Sequence, residues 1–78
     1  MDNIENRVLN ILVEIKSDIK SHPNDNFMES GLLDSLDIMK LIIRIEDEFD
    51  IQIEPEDVLS ENFESIASIS DLVKRCKN

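Results

Sequence analysis

Apolar residues recur at helical spacing from the start of the chain. Ile4, Val8, Ile11, Leu12, Ile15 and Ile19 share one face of a 3.6-residue period. Asp2 or Asn3 can cap this first helix. It is expected to fade between Lys16 and Lys20, ahead of Ser21, His22 and Pro23. The following stretch, SHPNDNFMESGLLD, has no such period and reads as a loop. Pro23, Asn24, Asp25 and Asn26 are turn formers. Gly31 suits a positive φ, and Phe27, Met28, Leu32 and Leu33 are expected to pin the loop to a core. A second helix should run from Ser35 or Leu36 to about Phe49, followed by a connection, 50–54, with Ile51 and Ile53 pointing inward. Pro55 suits a first helical position, so EPEDVLS predicts a short third helix or turn. Ser65 can cap a last helix with Ile66, Ile69, Leu72, Val73 and Cys76 along one side. Lys74, Arg75 and Lys77 then sit near its negative end. The pattern predicts an all-α bundle of three main helices plus one short helix, with a long first loop, in one domain over residues 1–78.

The second helix is the informative one. At about 100° per residue, Ile38, Leu41, Ile42, Ile45 and Phe49 form a compact stripe assigned to the core. Asp37, Lys40, Arg44, Asp47 and Glu48 form a polar face. Leu36, Met39 and Ile43 fall on the flank of the stripe. Either they widen the buried face, or they form an exposed apolar strip edged by charge, which fits a partner's groove. Ser35 also has two readings. With Asp34 as the cap, its hydroxyl lies in a first turn whose N–H groups lack intrahelical partners. It either belongs to the capping of the helix or holds an attached phosphate in a favourable dipole field.

Composition narrows the function. Seventy-eight residues bury only about 60% of their unfolded surface, leaving little room for a deep pocket beside a core. Eighteen acidic against eight basic residues give a formal net charge of −10. A nucleic-acid backbone and an anionic membrane surface would both repel such a chain, whereas basic partner surfaces would attract it. Cys76 is the only cysteine, so no intramolecular disulfide forms. The N-terminal MDNIENRVLN has no signal-peptide pattern and no apolar run is long enough to span a bilayer, so the expected location is cytoplasmic.

Over a longer stretch, FMESGLLDSLDIMKLIIRIEDEFDIQI (27–53) resembles the acyl carrier protein family. The likeness centres on Asp34-Ser35-Leu36, with Glu29 to Gly31 upstream and Ile45-Glu46-Asp47-Glu48-Phe49 and Ile53 downstream. The length, the acidity and the flanking helices fit as well. The resemblance implies that Ser35 is esterified by 4′-phosphopantetheine, taken from coenzyme A by a phosphopantetheinyl transferase. The thiol of that arm would hold an acyl or aminoacyl group as a thioester. The carrier would be loaded by a ligase or acyltransferase and would serve a downstream synthase or transferase, without catalysing anything itself. It also implies that the second helix is the docking surface, with Leu36, Met39 and Ile43 as apolar contacts. Asp34, Asp37, Asp47 and Glu48 would be its acidic contacts. A mobile shuttle of this kind is expected to be a monomer.

Two departures bear on the pathway. Fatty-acid synthesis carriers usually read LGADSL at the attachment site, whereas this chain reads GLLDSL, which is more similar to D-alanyl and other dedicated carriers. Lys40 and Arg44 also place positive charge on a helix that is typically acidic in the fatty-acid carriers. Both features point to a specialised pathway. The rival reading is a small acidic interaction module that docks through the same strip and carries nothing. A calcium-binding loop does not fit: with Gly31 as its turn glycine, Met28 and Asp37 occupy ligand positions that call for other residues. No metal site is expected. His22, in the loop, is expected to be solvated, and Cys76 reads as a packed small residue.

Overall fold

A computed structural model describes residues 3–21 and 25–77. The alternative cap Asp2 and the loop positions His22, Pro23 and Asn24 lie outside the described residues. Helix α1 spans Ile4–Ile15, α2 Ser35–Phe49 and α3 Ile66–Cys76. Short 3-10 turns cover Ser17–Ser21, Pro55–Asp57 and Ser60–Phe63. The described residues form no strand, as the all-α pattern requires.

Each helix begins where the sequence supplies a cap. Asn3 Oδ1 accepts the Asn6 N–H at 3.1 Å, and Ser65 Oγ accepts that of Ser68 at 3.0 Å. The buried stripes meet in one cluster: Val8, Ile11 and Leu12 from α1, Ile38, Leu41, Ile45 and Phe49 from α2, and Ile69, Leu72 and Val73 from α3. Phe27, Leu33, Ile53 and Phe63 close that cluster from the connections, and Met28 and Leu32 pack on its edge. Ile51 is half-buried and Ile53 buried, so the connection after α2 turns its isoleucines inward as expected.

Helices α1 and α2 run antiparallel and are laced by ion pairs, one of them from the residue just after α1. Arg7 meets Glu48 at 3.0 Å, Glu14 meets Arg44 at 3.0 Å, and Lys16 meets Asp37 at 3.4 Å. The first helix ends at the near edge of the 16–20 stretch where it is expected to fade. Lys16 takes an extended backbone (φ −137°, ψ 96°), and Ile19 reaches the core from a 3-10 turn instead of from α1. An Ile15–Ile19 spacing of four fits a continuous helix equally well. The break leaves Lys16 at the C-cap of α1, from which its ammonium reaches α2.

Among the described residues, no helix is long and apolar enough to cross a membrane.

Candidate functional site

The long loop is held at several points before it delivers the chain to α2. Asn26 Oδ1 accepts the N–H groups of Met28 and Glu29, both at 3.0 Å, while its amide donates to Glu64 at 2.7 Å. Phe27 N–H donates to the Glu64 carbonyl at 2.8 Å, and Leu33 N–H to the Phe27 carbonyl at 3.1 Å. Gly31 turns the chain with φ +79°, a conformation that side chains resist. With Phe27 and Leu33 buried, the loop sets Asp34 in place by its own packing.

Asp34 is the N-cap of α2 and makes a reciprocal capping box with a second aspartate. Asp34 Oδ1 accepts the Asp37 N–H at 2.9 Å, and Asp37 Oδ2 accepts the Asp34 N–H at 3.2 Å. The hydrogen bond from the Asp37 amide is the main cause that holds the Asp34 carboxyl below its usual value; the nearby Lys16 ammonium adds to the effect. Ser35 lies between the two members of the box, in the first turn, with an exposed side chain. Among the described residues no buried hydrogen bond uses its hydroxyl, and the cap is Asp34.

A groove of about 290 Å³ opens beside Ser35. Ile38, Met39 and Ile42 of α2 line one side, and Val58, Leu59 and Phe63 line the other. Its walls carry no charged side chain. Sequence patterning could not find this groove, because it depends on how the 58–63 segment folds back across α2. Ile42, assigned to the core by its wheel position, is half-buried and forms groove wall.

The flank residues resolve in favour of exposure. Leu36, Met39 and Ile43 are 60%, 61% and 63% exposed. Lys40 is also exposed, and the Asp47 side chain is 85% exposed. Three charged positions differ from the open polar face that periodicity suggested. Asp37, expected as an exposed acidic contact, is only 7% exposed; the capping box and the Lys16 ammonium hold it against the bundle. Glu48 is engaged by Arg7, whose Nε donates to its carboxylate at 3.0 Å and whose Nη2 donates to its carbonyl at 2.9 Å. Arg44 is folded onto α1, donating to both Glu14 oxygens at 3.0 and 3.1 Å. That pairing holds the Glu14 carboxyl below its usual range and raises Arg44 further. The charge of Arg44 is therefore answered within the molecule, leaving Lys40 as the cation that α2 turns toward solvent beside the strip.

Cys76 stays structural. The Cys76 thiol is half-buried and its pKa is raised, first by burial and then by Asp57, so it is a poor nucleophile. No group of His, Cys, Asp and Glu among the described residues could hold a metal ion.

Comparison with known proteins places these features in a family. Residues 6–75 match the family described as "Phosphopantetheine attachment site". The acyl carrier protein of Buchnera aphidicola subsp. Baizongia pistaciae is 36% identical over 77 residues, covering 96% of both chains. That of Buchnera aphidicola subsp. Acyrthosiphon pisum (strain Tuc7) is 37% identical over 78 residues, covering 96% of this chain and 94% of the relative. A third, from strain 5A of the same subspecies, is 45% identical over 60 residues, 73% of this chain and 74% of its own.

Proposed function

This chain belongs to the acyl carrier protein family, and on that premise we propose that Ser35 carries the 4′-phosphopantetheine arm. The observation that carries this reading is the exposed Ser35 side chain in the first turn of α2, at the mouth of an uncharged groove. Attachment joins Ser35 Oγ to the phosphorus of the phosphopantetheine half of coenzyme A. Adenosine 3′,5′-bisphosphate leaves, and the hydroxyl proton passes to a base of the transferase. The arm supplies a thiol on which cargo travels as a thioester. The chain's own part is to hold the tether. The positive end of the helix dipole suits a phosphodiester here, and the Lys16 ammonium offsets the ionised Asp34 carboxylate. The chain itself contributes no catalytic group to the reactions it serves, and a cytoplasmic location is part of the same reading.

The partners dock on α2. Leu36, Met39 and Ile43 supply the apolar contacts, with Lys40 and Asp47 at the edges. Glu48 contributes only what Arg7 leaves exposed. These partners are a phosphopantetheinyl transferase, a cargo-loading ligase or acyltransferase, and a downstream synthase or transferase. Exposed ion pairs worth about 0–1 kcal/mol suit docking that must be released each cycle. GLLDSL and the free Lys40 favour a specialised pathway over housekeeping fatty-acid synthesis. The groove, with Met28, Ile38, Ile42 and Phe63 in its walls and no charge to meet an ammonium, favours an apolar acyl cargo over an aminoacyl one.

The test is mass spectrometry of the chain after incubation with coenzyme A and a broad-specificity phosphopantetheinyl transferase. The expected result is a gain of one arm, absent in Ser35→Ala. An unmodified wild-type chain, with the transferase active on a control carrier, overturns the reading in favour of an interaction module that carries nothing.

A further inference from the structure

We infer that Lys16 is a positioning residue for Ser35: from the break after α1 it fixes the first turn of α2 in the geometry that arm attachment requires. The inference rests on the reading of Ser35 as the attachment residue. Lys16 is itself anchored by backbone contacts. Its N–H donates to the Leu12 carbonyl at 2.7 Å, and its carbonyl accepts the Ile19 N–H at 3.1 Å. From there Nζ stands 3.4 Å from Asp37 Oδ2, the same oxygen that accepts the Asp34 N–H.

That oxygen is the hinge of the capping box. Asp37 is nearly buried, so its carboxylate relies on the few groups around it for hydrogen bonding and pairing. Without the ammonium, the carboxylate retains one neutral N–H at 3.2 Å and gains by swinging toward water. Such a swing breaks the bond that closes the box onto Asp34, and Ser35 lies inside that loop of contacts. Core packing of Ile38 and Leu41 would still hold the rest of the helix. Loss of Lys16 therefore misplaces one hydroxyl without unfolding the domain.

The experiment uses the full chain, coenzyme A and a broad-specificity phosphopantetheinyl transferase, with kcat and KM for the carrier measured by steady-state kinetics. Lys16→Met, which keeps the stem and removes the charge, is expected to lower kcat about tenfold, the scale of a sub-ångström misplacement. KM should move less than about twofold, because docking on the strip is untouched. Lys16→Arg should restore most of the rate. In an Asp37→Asn background, where no buried charge needs an ammonium, Lys16→Met should cost little more. A wild-type kcat in folded Lys16→Met overturns the inference. So does an effect confined to KM and sensitive to salt, which would make Lys16 a docking contact. Should Lys16→Met alone lose its helical circular dichroism, the double variant compared with Asp37→Asn decides: a large further loss of kcat refutes the coupling. If wild type itself accepts no arm, the Ser35 reading fails; if wild type is modified at Ser35 and Lys16→Met matches it, only the present inference fails.

Discussion

The two ends of α2 are each met by a cation, Arg7 from α1 and Lys16 from the break after it, and they are finished differently. At the C-terminal end Arg7 pairs with Glu48, bonds its carbonyl and lies 4.3 Å over the centroid of the Phe49 ring. Asp50 then ends the helix in a left-handed turn, and the Glu46 carboxylate takes the Ile53 N–H at 2.9 Å. Charge, aromatic ring and departing chain all close on one another. At the N-terminal end Lys16 reaches Asp37, but its pairing only steadies the box. Ser35, Leu36 and Met39 are left pointing outward beside an open groove. The same device of a cation set against an α2 acid therefore seals one end and presents the other. What separates them is how much apolar surface is left uncovered around the pair.

The sharpest way to break this contrast is to exchange packing for exposure along α2. Leu41 is fully buried, so Leu41→Ala is expected to lower stability by about 3 kcal/mol, within the usual 2–5 for such deletions. Ile43, two residues on but 63% exposed, should lose no more than about 0.5 kcal/mol as Ile43→Ala. Urea titration of both variants checks the pair. Equal losses would mean that Ile43 is core and the presented strip does not exist. A smaller effect separates the two ends themselves. Arg7→Met removes a half-exposed ion pair and a cation–π contact and is expected to cost about 1 kcal/mol. The rate of arm attachment should be unchanged, unlike that of Lys16→Met. A fall in that rate with Arg7→Met would erase the distinction between sealed and presenting ends.

The smallest effect lies in acid. The folded Asp34 carboxyl sits below its usual 3.8 because it accepts the Asp37 amide. A depressed carboxyl stabilises above the unfolded value and loses that contribution as the pH falls through the folded one. Wild type should therefore lose stability more steeply below about pH 4 than Asp34→Asn, which keeps an acceptor for the amide but has no charge to titrate. Parallel thermal melts from neutral pH downward check the slope, and identical slopes would show that Asp34 is not stabilised as a carboxylate.

Local signals made much of this legible. The bounds of α2, the caps Asn3, Asp34 and Ser65, the positive φ of Gly31 and the buried Phe27 and Leu33 follow from spacing, side-chain hydrogen bonding and turn chemistry within a few residues. The wheel also separated Leu36, Met39 and Ile43 from the stripe that packs. What stayed hidden depends on partners distant in sequence. Asp37 reads as a polar-face residue until Lys16, on another element, draws it inward. Glu48 and Arg44 look free for partners until α1 lies alongside with Arg7 and Glu14. The 3-10 turn Ser60–Phe63 has no period to betray it, and without it the groove has only one wall.

The central claim is that one exposed oxygen beside the Asp34–Asp37 box is the tether. Trypsin should cut after Lys20 and Lys40 and release a 21–40 peptide that holds three serines, Ser21, Ser30 and Ser35. Fragmentation of that peptide from the transferase-treated chain tests the claim most directly. The expected ion series carries the added mass from residue 35 onward and leaves Ser21 and Ser30 bare. An arm on either of those serines, or a peptide with no added mass while the intact chain is modified elsewhere, would contradict it.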